Sequence, residues 1–158
     1  TLRGLILCME ALDSLKIDFG VIGFSDSPVI HKEMKDKFTI NNRNQILGDI
    51  NRAMGGGTND NLGVQTGLDM FKRHGKASYR KVMIVLSDGM GNAAEVKRLQ
   101  AKARQDDIIV IGVGIGPGME AIANVYDEFV LCPHIDKLPQ MLADTVRQQI
   151  EGKDEKFA

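Results

Sequence analysis

The chain has 158 residues, 43% hydrophobic and 26% charged, the ordinary make-up of one soluble globular domain with a sizeable core. Its 20 basic and 21 acidic side chains leave a net charge of −1, which gives no electrostatic footing for nucleic acid or an anionic membrane surface. No apolar run reaches the ~20 residues needed to span a bilayer, and the first residues do not read as a secretory leader.

Leu2, Leu5, Ile6, Met9, Leu12 and Leu15 recur at three- and four-residue steps, which predicts an amphipathic helix. The segment DFGVIGF (residues 18–24) is short, apolar and β-rich, and Ser25-Asp26-Ser27-Pro28 closes it. A second, edge-like strand is expected over Val29–Met34. Residues 41–54 read as a helix with Ile46, Leu47 and Ile50 inward, ending at Gly55-Gly56-Gly57. Asp60 is placed as the N-cap of a helix running to about His74, where Gly75 stops it. KVMIVL (residues 81–86) is the clearest strand, and its unbroken apolar run predicts burial on both faces, as in a parallel sheet. A helix over Ala93–Gln105, a strand over Ile108–Val113, a short helix over Glu120–Tyr126, a strand over Glu128–Cys132 and a helix over Leu138–Ile150 complete the alternation. The domain is thus expected over residues 1–150, with 151–158, EGKDEKFA, as a fraying polar tail. Cys8 and Cys132 both fall on apolar segments and read as buried thiols; a disulfide between them is not expected, which favours a reducing compartment.

Strands alternating with helices predict an α/β fold: a doubly wound, mostly parallel sheet with helices on both faces. Ligands bind such sheets at the carboxyl ends of the strands. That edge gathers Ser25-Asp26-Ser27, the Gly57-Thr58 loop and Ser87-Asp88-Gly89. Gly112-Val113-Gly114-Ile115-Gly116-Pro117-Gly118 invites a dinucleotide reading, but the fingerprint needs glycine where Pro117 stands and belongs after a first strand. A Walker A sequence and a nucleophile elbow are both missing from the sequence. His31, His74 and His134 have no metal-ligand spacing, so no catalytic chemistry finds a foothold and an enzyme is not expected. Thr58 and Asp88 are hard oxygen donors flanked by glycine at the sheet's edge, and a few such groups on neighbouring loops suit magnesium. Spacing alone leaves a second reading equally open, with Thr58 in a turn and Asp88 capping the next helix.

The series LRGLILCMEALDSL, DFGVIGFSDS, GGGTNDNLGVQTGLDMF, KVMIVLSDG and IIVIGVGIG, in that order, resembles the von Willebrand factor A domain across nearly the whole chain. The resemblance implies a Rossmann-like fold with a metal-ion-dependent adhesion site, in which Thr58 and Asp88 are ligands. In that family the site begins with Asp-x-Ser-x-Ser at the end of a central first strand. The chain opens at Thr1, in or just before the first helix, so that strand is absent from it and is expected upstream. Donation by another segment and outright loss of the site are the alternatives. Without that triplet, binding of Mg2+ (or Mn2+ or Ca2+) by Thr58 and Asp88 is expected to be weak or absent.

The family's activity implies a protein-binding module in which the cation engages an acidic residue of a partner. Asp26, Ser27, Asn59, Asp60, Gly89 and Met90 would form the rim. The low cysteine use and short loops are similar to the intracellular branch that works with AAA+ ATPases, which includes chelatase subunits, nitric-oxide-reductase activators and midasin. An adaptor in such an assembly, in the cytoplasm, is therefore expected; the alternative is a metal-free interaction domain with a degenerate site.

Overall fold

The computed structural model describes residues 2–14, 16–24, 26–53, 59–74, 80–87 and 91–157. Helix α1 (Leu2–Ser14) leads to the antiparallel pair β1 (Val21–Phe24) and β2 (Pro28–Lys32). Helix α2 (Ile40–Ala53) and helix α3 (Asp60–His74) follow. Then come β3 (Lys81–Leu86), α4 (Ala93–Gln105), β4 (Ile108–Ile115), the single turn α5 (Ile122–Val125) and β5 (Glu128–Cys132). A 3-10 turn at Ile135–Lys137 enters the closing helix α6 (Leu138–Phe157).

Strand β4 lies between β3 and β5 and pairs in parallel with both. All but the last of its eight residues are buried, as an apolar strand with helices on each face requires. Ile108 and Val110 point into a core built with α3, α4 and α5 through Val64, Leu68, Val96, Leu99, Ile122 and Tyr126. Their neighbours Ile109, Ile111 and Val113 point the other way, against Leu138 and Leu142 of α6 and Cys8 of α1. A third cluster joins α1, α2 and β1 through Met9, Ile46, Phe19 and Val21. The expected doubly wound α/β arrangement is therefore present.

Among the described residues the strands form two sheets, β1–β2 and β3–β4–β5, with β1 and β3 each paired on one side only. Helix α3 packs on β1, β2 and β3 and so covers both sheets with one layer. Strand β3 is covered on both faces, as expected, Met83 and Val85 packing into the first core and Val82, Ile84 and Leu86 against the second, although only Val85 of its six residues is fully buried. Unbroken apolar character marks a strand inside the fold, but the sheet position decides how much of it is covered.

Most element boundaries follow local chemistry. Thr39 and Asn42 cap α2 reciprocally, the Asn42 amide donating to Thr39 Oγ1 (3.2 Å) and the Thr39 amide to Asn42 Oδ1 (2.6 Å). At the far end, α6 runs past residue 150 to Phe157. Residues 151–157 contain no proline, and their only glycine is followed by Lys153, Glu155 and Lys156, which propagate a helix readily. Leu15, Gly75 and the side chains of Leu2 and Ile50, all assigned roles from periodicity or helix termination, lie outside the described residues.

Lys32 is buried at the end of β2, its ammonium donating to the Phe19 carbonyl at 2.6 Å and to the Glu33 carbonyl at 3.1 Å while lying 4.3 Å from the Phe19 ring centroid. Burial lowers its pKa, against the pull of nearby Asp36, Asp18 and Asp13. Gln100 is a buried polar residue of α4, and it ties that helix to the α5–β5 junction. Its Nε2 donates to Val125 O (2.7 Å) and its Oε1 accepts from the Asp127 amide (3.0 Å).

Both cysteines are free thiols. Burial pushes the Cys8 thiol up to about 11, and Cys132, 1% exposed, donates from Sγ to the His134 carbonyl at 2.9 Å. Because the thiolate is the reactive form, labelling by a disulfide reagent at pH 8 is expected to be slow in the native protein. Denaturant should release two equivalents without added reductant. Rapid native labelling of Cys132 would contradict its burial.

Candidate functional site

Four of the predicted site residues, Thr58, Asp88, Gly89 and Met90, lie outside the described residues. The described ones frame the place they occupy in the chain. Asp26 and Ser27 sit exposed in the bend between β1 and β2. Asn59, half-buried, leads directly into α3. Ser87 continues the pairing of β3 by one residue, its amide donating to Val113 O of β4 at 3.1 Å, and Asp88 follows it in the sequence.

The ends of β1 and α3 are neighbours. A methyl added at Gly63, in the first turn of α3, would come within 2.5 Å of the Phe24 ring at the end of β1. Ser87, at the end of β3, also donates to Asp60 at the start of α3, so the carboxyl ends of β1 and β3 and the start of α3 share one end of the fold.

Asp60 corrects two expectations. It is the first residue of α3 rather than the cap before it, and it is 0% exposed, so it cannot lie on a rim open to a partner. Its Oδ2 accepts from Tyr126 Oη at 2.8 Å and from Ser87 Oγ at 3.0 Å. Its Oδ1 has no hydrogen-bond partner. Burial, with the Asp60 charge beside it, raises the Tyr126 hydroxyl's pKa, so that hydroxyl stays a proton donor to the carboxylate.

Tyr126 reaches Asp60 because of a glycine. The tyrosine follows α5 and lies flat against β4, where a side chain on Gly112 would collide with its ring. One member of the false dinucleotide motif is thus a seat for an aromatic ring. Another, Gly116, turns the chain with a φ of +89°, which L side chains rarely adopt. Tyr126 and the structural role of Ser87 had no signal in the sequence: the hydrogen bond joins positions 66 residues apart, and nothing local in the sequence announces it.

The structure also removes one alternative for Asp88. The cap of α4 is Asn92, whose side chain accepts from the Glu95 amide at 3.2 Å. Asp88 is therefore not required as a helix cap.

Among the described residues no group of three or more histidine, cysteine, aspartate or glutamate side chains could by itself hold a metal ion. What the described part of the edge offers is oxygen: the Asp60 carboxylate, with one atom unpartnered, and the Ser87 hydroxyl. Hard oxygen donors of this kind fit a hard divalent cation such as magnesium, and a buried carboxylate with an orphaned oxygen fits a neighbouring positive charge.

A family model described as von Willebrand factor type A domain matches residues 2–134. The fold is similar to that of proximal thread matrix protein 1 from the mussel byssus, at a TM-score of 0.62 and 19% identity over 92% of this chain and 40% of that chain. A second crystal form of the same protein gives 0.62 and 18% over 93% and 41%. A structure of it described as having a zinc occupied MIDAS motif gives 0.62 and 19% over 92% and 43%. The chain thus spans about two fifths of the length of these solved structures, and at such identity the similarity concerns the fold. A search of the curated proteins found no match.

Proposed function

Since the chain belongs to the von Willebrand factor type A domain family, we propose that it binds a protein partner through a divalent cation at the carboxyl edge of its sheet. Thr58 and Asp88 hold the cation, together with an Asp-x-Ser-x-Ser segment. Mg2+ is the proposed ion, with Mn2+ or Ca2+ able to replace it. The observation that carries the reading is the fully buried Asp60 carboxylate at this edge, bonded to the residue before Asp88 and lacking a partner for one oxygen. When bound, the cation supplies Coulomb attraction for an acidic side chain of the partner in a partly dried interface.

Around it, Asp26 and Ser27 give an exposed polar rim, with Asn59 beside the candidate ligand Thr58 and with Gly89 and Met90 beside Asp88. The recognition makes and breaks no covalent bond, so the domain acts as a binding module and not as an enzyme. An adaptor role in an AAA+-type assembly inside the cell fits the sparing use of cysteine.

The test is thermal. In the full-length protein, Mg2+ or Mn2+ at about a hundred times its Kd is expected to add roughly 2.7 kcal/mol of stability, a rise of about 5–10 °C over EDTA. Asp88→Ala should abolish that rise. A wild-type protein that melts at the same temperature in EDTA and in Mn2+ would sink the reading, and partner binding that survives EDTA would mark a metal-free interaction surface instead.

A further inference from the structure

Three polar or charged side chains are buried among the described residues: Lys32, Gln100 and Asp60. The first two are answered within the fold, Lys32 by two carbonyls and an aromatic face, Gln100 by backbone groups on both ends of its amide. Asp60 is not. Two neutral hydroxyls meet Oδ2, none meets Oδ1, and no cationic side chain pairs with it among the described residues. A carboxylate stripped of water and given only neutral donors on one oxygen is a strongly unfavourable arrangement unless a positive charge is nearby.

Backbone continuity says where that charge would be. Asp60 follows Thr58 by two residues, and its partner Ser87 immediately precedes Asp88. The carboxylate is thereby tied between the two loops that carry the candidate ligands. Tyr126 holds it from the third side, on a ring seated against β4.

We propose that Asp60 is a further carboxylate of the cation site, oriented by Tyr126 and Ser87 through Oδ2 so that Oδ1 is left for the cation. The proposal rests on the metal-binding reading above. It adds a negative charge beyond the Thr58 and Asp88 pair, and it makes Tyr126 a positioning residue that acts through Asp60. Such outer supports commonly tune metal affinity by about 10- to 100-fold.

The test uses the full-length protein with Mn2+ alone as the probe, reading its Kd by calorimetry and the melting temperature in EDTA for three variants. Asp60→Asn keeps the size of the side chain and removes its charge. It is expected to weaken Mn2+ binding about tenfold or more, while the melting temperature in EDTA holds or rises because a buried charge has gone. That opposition separates a ligand from a purely structural residue, which would lose stability in EDTA and leave the Kd alone. Tyr126→Phe retains the carboxylate but frees it, and should weaken binding by about tenfold, the lower end of that range.

Wild-type affinity in Asp60→Asn, with Asp88→Ala binding nothing, overturns the assignment of Asp60 while leaving the site itself intact. Absence of Mn2+ binding in the wild type, or unchanged binding in Asp88→Ala, removes the underlying reading and this one with it. If Asp60→Asn proves unfolded in EDTA, Tyr126→Phe decides: an unchanged Kd there overturns the proposal, and a weakened one supports it.

Discussion

Ile111→Ala is expected to lower the melting temperature of the full-length protein by about 10 °C. Ile111 is 0% exposed at the middle of β4, opposite Ile84 of β3 and Glu128 of β5. Its side chain belongs to the cluster closed by Val130, Cys132, Leu138 and Leu142. Truncating a buried aliphatic residue costs about 2–5 kcal/mol, transfer and cavity terms together. The upper half of that range applies because strands on both sides of Ile111 restrain collapse into the void. For a domain of this size each kcal/mol corresponds to roughly 2–4 °C. A shift below about 3 °C in a calorimetric scan would mean that β4 is not the packed centre described here.

One residue further on, the opposite change is harmful. Gly112→Ala puts a methyl into the Tyr126 ring on the other face of the same strand. Overfilling of this kind costs about 1–3 kcal/mol, although alanine recovers up to ~1 kcal/mol of the backbone freedom that glycine loses on folding. The diagnosis lies in the pair. If the ring is what the methyl strikes, adding Tyr126→Ala should relieve it, and the double variant should be more stable than the sum of the singles by about 0.5–3 kcal/mol. Additive losses, measured by urea denaturation, would place the collision elsewhere. Because the same ring carries the hydroxyl that holds Asp60, the Gly112 variant links core packing to the functional edge.

The sequence carries the fold because the fold depends on periodicity. The runs IIVIGVGI and KVMIVL and the three- and four-residue apolar steps of the first helix are local signals, and the elements appear where those signals stand, with α4 and β5 matching their expected limits. What periodicity misses is how far a polar helix continues past its packed part, as α6 shows. That the carboxyl ends of β1 and β3 gather at one edge was legible from the strand-end rule, while the glycine-flanked donors Thr58 and Asp88 lie outside the described residues. The fate of Asp60 was not, because an acidic residue at a helix start is ordinarily a solvated cap or first-turn acid. Only tertiary contacts from Ser87 and Tyr126, far along the chain, turn it into a buried carboxylate.

Strand β2 has a consequence for the protein's behaviour at high concentration. Among the described residues it is paired on one side only and shows Val29 and Ile30 to solvent, the kind of edge along which a second molecule could add its own strand. It starts, however, with Pro28, which has no amide hydrogen to donate, and ends with an ammonium turned inward onto the Phe19 carbonyl. A slip by one residue would tear Lys32 from that carbonyl and swing it to the opposite face. The buried lysine thus fixes the register of the hairpin, and together with Pro28 it makes this edge a poor template for intermolecular sheet growth.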